Sequence, residues 1–341
     1  MLTAMSYSPD DPRPVSILIA PSDLGSRSAD EVAQQLGEGI LSIIRDAKIR
    51  LSPFSLPESG LTSLAEHFPG EQVMLPTTTA AGTLTEATYA LDKEQATAYI
   101  DAAQATGTDS LTPGRSDSYG VGVLVADAQS RGARRVVLNL TGCPTDDGGV
   151  GVLVALGANP LDRSGRTLPK GGTALETLAD FDTAQLNIGA GAVEWVLVTD
   201  TSAPLDTDAP GMARLAEVTG VDPATPGLGA GGGMAVAITW LSALLHGSAD
   251  NVRLIPAEQL VAGSLDTSEL INPGDFLVTT GAMAAALARS AGADADNVLG
   301  VVLGEGETAP EQALAVPAGD SLQDAGAQLA VDYLRISTVQ G

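Results

Sequence analysis

Lysine is scarce in this chain. Of its 17 basic residues only Lys48, Lys93 and Lys170 are lysines, and 42 carboxylates set the formal net charge at −25. Such a charge repels nucleic-acid phosphates and anionic membrane surfaces, so neither is expected as a partner. It also means that any phosphate site must use arginines, backbone N–H groups or a metal ion. Cys143 is the single cysteine, which excludes an internal disulfide and a cysteine-based metal cage. It reads either as a reactive thiol at a helix start or as a small buried side chain. Aromatic residues make up only 3%, so the core has to be built from Ala, Val, Leu and Ile. The apolar stretch Met234–Leu245 is shorter than the roughly 20 residues that cross a bilayer and reads as a buried helix. Met1–Pro14 is polar and lacks the apolar segment of a signal peptide, so the expected location is cytoplasmic.

What is present describes a folded chain. Hydrophobic residues account for 44% and the mean hydropathy is +0.16, outside the range of disordered proteins. A chain of 341 residues can bury two cores. The stretch from Arg135 to Asp162 organises the rest. Val136, Val137, Leu138 and Leu140 read as a buried parallel strand. Thr141–Thr145 breaks it, Asp146-Asp147-Gly148-Gly149 opens the next element, and Val150–Leu156 carries a largely apolar helix ending at Gly157. A strand that stops in a Gly/Thr/Asp turn before a helix offers backbone N–H groups, a positive dipole end and two carboxylates. That suits a phosphate-plus-metal ligand, and it suits equally a pair of aspartates that only cap the helix.

Around this unit the pattern is strand, turn, helix. Val15–Ala20 reads as a strand and Ser28 with Glu31 as a capping box. Val32, Leu36, Ile40, Ile43 and Ile44 give the following helix an apolar stripe. This is the opening of a doubly wound sheet. Lys48–Phe54 reads as a second strand. From Glu71 the pattern alternates briefly, and a helix is expected from about Asp92, then another over Gly120–Arg131. Arg163, Arg166 and Lys170 lie in a turn that either faces an anion or is simply solvated, with a helix expected from Thr173. Val193–Thr199 is a strand ending at Asp200, the place where α/β folds put catalytic or metal-binding groups, or a cap. Gly227, Gly229 and Gly232 fit G-x-G-x-x-G, but Asp222–Pro226 cannot form the strand a dinucleotide fingerprint requires. The glycines permit backbone contact with a ligand or close helix packing. Further strands are expected at Asn251–Ile255, Asp275–Thr280 and Asn297–Leu303, and a closing helix at Leu322–Leu334.

Several of these motifs, in order, resemble those of the bacterial glycerate kinases, including the glycerate 2-kinases. The turn at 142–149 resembles GGSATNDGG, keeping Gly142, Thr145, Asp147, Gly148 and Gly149. Asp162–Gly172 resembles LDxxGxxLPxGG, and Pro226–Met234 resembles PGAGAAGGLG. The opening resembles IAPDSFKGSLSA without its lysine, for which Arg27 could substitute. Ser118–Gly122 resembles TSYGTGE and Asp200–Leu205 resembles CDVTNPL. Departures are equally clear. The DGGEGT motif, the Gln-Lys pair and both acids of TGEGRxDxQ are missing.

The resemblance implies the glycerate kinase fold: two α/β domains, one discontinuous with a flavodoxin/Rossmann-like parallel sheet, the other inserted. The discontinuous domain is expected at 1–75 and 251–341, and the insertion at 76–250. Implied, too, is ATP-dependent phosphorylation of glycerate. Asp147 and Asp200 would be catalytic and hold Mg²⁺. Ser22, Asp23, Arg27, Gly142, Thr145, Gly148, Gly149, Gly227, Gly229, Gly231 and Gly232 would bind phosphate or a small-molecule acid. The lost lysines leave an alternative, a catalytically impaired member that binds a small acid or a nucleotide. Assembly into a homo-oligomer is compatible with either.

Overall fold

The structure is a computed structural model that describes residues 14–54, 64, 68–107, 112–199, 202–265, 274–290 and 297–339. The chain begins with β1 (Ser16–Ile19), α1 (Ala29–Ile43) and β2 (Lys48–Leu51). Next come β3 (Glu71–Thr78), β4 (Leu84–Asp92), β5 (Thr97–Asp101), α2 (Ala102–Thr106), α3 (Tyr119–Ser130), β6 (Arg135–Asn139) and α4 (Val150–Ala155). Then follow β7 (Asn159–Asp162), β8 (Leu178–Asp182), α5 (Ile188–Gly191), β9 (Glu194–Thr199), α6 (Pro210–Thr219), α7 (Ala230–His246) and β10 (Val252–Pro256). The last elements are α8 (Ala257–Ser264), β11 (Phe276–Thr280), α9 (Gly281–Ser290), β12 (Val298–Leu303), β13 (Leu314–Pro317) and α10 (Leu322–Val339).

Two compact units share the chain, Met1–Pro57 with Glu258–Gly341, and Glu58–Ala257. Residues 58–75, which the sequence reading grouped with the amino terminus, fall in the second unit, because β3 pairs along its whole length with β4.

The second unit holds a six-stranded sheet in the order β10-β9-β6-β5-β4-β3. β5, β6, β9 and β10 run parallel, and β4 and β3 return antiparallel. Trp195, Val196, Leu197 and Val198 of β9 are all buried, as a strand covered on both faces requires. Helices α3, α4 and α7 add Leu124, Val125, Val152, Leu153, Val236 and Ile238 to this core. Two expected helices are absent here. Instead of a helix from Asp92, the carboxylate of Asp92 accepts the N–H groups of Glu94 and Gln95, both at 2.9 Å. This Asx turn sends Thr97-Ala98-Tyr99-Ile100 back as β5, whose β-branched and aromatic residues favour a strand. At Thr173 a 3₁₀ turn over Gly172–Thr177 leads directly into β8, which pairs antiparallel with β7.

In the first unit the five strands are all parallel, ordered β13-β12-β11-β1-β2. Ile17 is in register with Ile49 on one side and Phe276 on the other. The capping expected for α1 is present in part, since the Ser28 hydroxyl accepts the N–H of Glu31 at 3.3 Å. Helix α1 packs on α10 through two glycines. A side chain on Gly39 would strike the carbonyl of Gln323, and one on Gly326 would lie 2.5 Å from the carbonyl of Leu36.

Candidate functional site

The carboxyl ends of β5, β6 and β9 in the second unit deliver Asp101, Asn139 and Thr199, all buried. Open α/β sheets bind ligands at this edge. Asp101 accepts the Leu64 N–H at 2.9 Å and the Asn139 side-chain amide at 2.9 Å. The carbonyl oxygen of that amide accepts the N–H of Thr141 at 3.1 Å. The first turn residue after β6 is thus fixed by two side chains from adjacent strand ends.

The two aspartates of the turn at 142–149 act as clips. Asp147 accepts the N–H and hydroxyl of Ser118, each at 2.9 Å, and the N–H groups of Gly149 and Gly151 at 3.1 and 2.9 Å. It is 2% exposed, and burial pushes its carboxyl above the ordinary range against the pull of the Ser118 and Gly151 hydrogen bonds. Both oxygens are committed to tying α4 to the start of α3. Asp147 thus has the capping role that the sequence left open beside its expected role as a magnesium ligand. Asp146 clips a different pair of loops. It accepts the N–H of Gly114, the hydroxyl of Ser116 and, at 3.4 Å, the N–H of Gly172.

The glycine-rich turn at 227–233 lies against the first turn. Gly231, Gly232 and Gly233 all have positive φ, at 54, 64 and 81°, a left-handed run that side chains resist. A Cβ on Gly232 would enter the carbonyl of Thr145, and one on Gly149 would come within 2.5 Å of the Met234 carbonyl. The hydroxyl of Thr145 donates to the Gly231 carbonyl at 2.9 Å, and the Gly148 N–H donates to the Gly232 carbonyl at 3.2 Å. The N–H groups of Gly227 and Gly229 both donate to the Ala203 carbonyl at 3.1 Å. Close packing against neighbouring backbone accounts for Gly149, Gly229 and Gly232. Gly142 differs: its φ is +64° and its missing side chain would face open space.

Loop 168–172 is fastened to the same place. Thr173 N–H donates to the Gly114 carbonyl at 3.1 Å, and Lys170 pairs with the buried carboxylate of Asp117. The rest of the basic turn is solvated. Arg166 pairs with Asp162 while its side chain is 81% exposed.

The other expected site residues lie in the first unit or outside the described residues. Ser22 shares a hydroxyl–hydroxyl hydrogen bond of 2.7 Å with Thr280, joining the ends of β1 and β11 at the point where strand order reverses. Asp23 accepts the N–H of Ala29 at 2.8 Å at the start of α1. Arg27 donates to the Asp320 carbonyl at 3.2 Å. Asp200 lies outside the described residues. Asp101 escaped the sequence reading because the helix expected from Asp92 hid a strand end. The pairing of Asp117 with Lys170 escaped it because loops 53 residues apart carry them.

The carboxylate of Asp147 accepts four hydrogen bonds, three on one oxygen and one on the other, and among the described residues no group of three or more His, Cys, Asp or Glu could hold a metal ion. Asp200, the other expected ligand, lies outside those residues. Among them, too, no helix is long and apolar enough to cross a membrane.

Fold and site together define a two-unit α/β protein with a polar, loop-built carboxyl edge. The model of the glycerate kinase family matches residues 17–214, and this chain belongs to that family. It is 27% identical over 298 residues to a glycerate kinase of Halalkalibacterium halodurans, covering 77% of this chain and 76% of that protein. It is 31% identical over 180 residues to the glycerate 2-kinase of Escherichia coli K12, spanning 51% of this chain and about half (47%) of that enzyme. A crystal structure assigned to a glycerate kinase 2 from Salmonella typhimurium LT2 superposes with a TM-score of 0.62, covering 96% of this chain and 98% of that one. At 21% identity that likeness shows the fold.

Proposed function

We propose that this protein transfers the γ-phosphoryl group of ATP to a hydroxyl of glycerate. The family match over residues 17–214 carries the reading, supported by a buried polar carboxyl edge of the kind that binds ligands in such sheets. Phosphoryl transfer asks a protein mainly for positioning and charge neutralisation. The clipped turns around Asp146 and Asp147 supply a rigid frame for positioning. Mg²⁺ would enter with the nucleotide, without an all-protein cage, as is usual for that ion.

The test is release of ADP from Mg²⁺-ATP, dependent on D-glycerate. The expected turnover is on the order of 1–100 s⁻¹. Folded protein that releases no ADP would overturn the kinase reading. A second reading, an inactive member that binds a small acid or nucleotide, is favoured by one observation: Asp147, expected to be catalytic, accepts four structural hydrogen bonds. It predicts stabilisation without turnover, about 2.7 kcal/mol at a ligand concentration 100 times its Kd.

A further inference from the structure

A kinase needs cationic groups around the transferred phosphoryl group, and this chain lacks the lysines that its relatives' motifs contain. Among its lysines, Lys48 lies at the start of β2. Lys93 pairs with Glu71, with more than half of each side chain exposed, beyond the end of β4 remote from the carboxyl edge. Only Lys170 stands among the loops of that edge.

Its surroundings are unusual for an exposed lysine. Its side chain is 60% exposed, yet its ammonium is held by Asp117, which is 5% exposed. It also lies 4.8 Å from the centroid of the Tyr119 ring, within reach of a cation–π attraction. Asp117 is fixed in turn, since its other oxygen accepts the Tyr119 N–H at 3.0 Å. The loop that carries Lys170 is bound to the glycine turn through Asp146, Gly114 and Gly172. An ammonium has three donors, and one is spent on Asp117. The others remain on an immobilised, solvent-facing charge, so little entropy is lost when a ligand binds. Arg115 adds a second cation beside it. It is exposed, and a Cβ on Gly171 would stand 2.5 Å from its Cα. Together the two cations offset the carboxylates of Asp117 and Asp146 in a protein of net charge −25.

We propose that Lys170, anchored by Asp117 and flanked by Arg115, is the cationic contact for the anionic oxygens of the ligand, phosphate or carboxylate. The proposal rests on the kinase reading and names the residue that supplies its missing charge. The full chain would be titrated calorimetrically with inorganic tripolyphosphate, Mg²⁺-ATP and D-glycerate. Wild type would be compared with Lys170→Ala and with Lys170→Ala combined with Asp117→Asn, which avoids stranding a buried carboxylate. Lys93→Ala is the control. Loss of one charged hydrogen bond corresponds to roughly 10- to 100-fold in Kd. That loss is expected for both Lys170 variants and absent for Lys93→Ala. A loss confined to glycerate marks the carboxylate as the group contacted, and a loss shared by tripolyphosphate and ATP marks the phosphates. Unchanged affinity in the folded double variant overturns the proposal, as does wild-type protein that binds none of the three. Wild type that binds tripolyphosphate but never releases ADP overturns the kinase reading alone. Turnover with unaltered KM in Lys170→Ala overturns only the role given to Lys170.

Discussion

Four donors converge on the carboxylate of Asp147, and this decides what its mutation should do. Asparagine keeps one acceptor oxygen and turns an NH₂ group toward donors. Asp147→Asn should therefore lower stability by about 1–3 kcal/mol, measured by urea unfolding. A metal ligand would instead lose turnover and keep its stability. The sign of the pH dependence follows from burial, which raises the folded pKa above the unfolded one. The stability that this carboxyl contributes is complete below its ordinary pKa and declines as pH rises through the folded value. The deficit of the Asn variant should therefore shrink over that rise. Cys143 offers a second test at this scale. Burial pushes its thiol up, so alkylation by iodoacetamide at pH 8 should be slower than for cysteine in an unfolded peptide. A faster rate would make it a reactive thiol. Sequence alone left both residues ambiguous, because a capping and a ligating aspartate share the same position before a helix.

At the scale of the element, strands and helices were legible wherever their apolar period was unbroken. The strand Arg135–Asn139, the helix Ala29–Ile43 and the last helix Leu322–Val339 fall close to where the periodicity puts them. The failures lie where local turn chemistry overrules composition. Asp92 folds a hairpin into a stretch rich in Ala, Gln and Thr. The glycine turns were legible as turns, but their reason was not, because the facing backbone comes from residues about 90 positions away, as Thr145 does for Gly231 (|i−j| = 86). That difference can be measured. Gly142→Ala meets only the backbone cost of a left-handed residue, about 1–2 kcal/mol. Gly232→Ala adds a collision with the carbonyl of Thr145 and should cost more than about 4 kcal/mol or abolish folding. Equal losses in chemical denaturation would show that the two turns do not pack as described.

In the whole molecule, the two cores share no residue. One is drawn from Val73 to Leu241 and the other from Ile17–Ile44 together with Phe276–Tyr333. A fragment spanning 58–257 should accordingly unfold cooperatively by circular dichroism when made alone, and a non-cooperative melt would contradict its separate core. The order of the motifs implied a discontinuous unit with an insertion. Its borders depend on which strand takes β3 as a partner, and that partner is β4. The discontinuous unit carries a consequence for synthesis. Strand β1 and helix α1 leave the ribosome among the first residues, but β11 and α10, which cover Ile17, Leu36 and Ile40, are made last. At the usual 5–20 residues per second, roughly 15–60 s separate the two events. The inserted unit has time to fold completely in that interval. The apolar stripe Val32, Leu36 and Ile40 meanwhile waits uncovered in the nascent chain, so the first helix made is among the last to be buried.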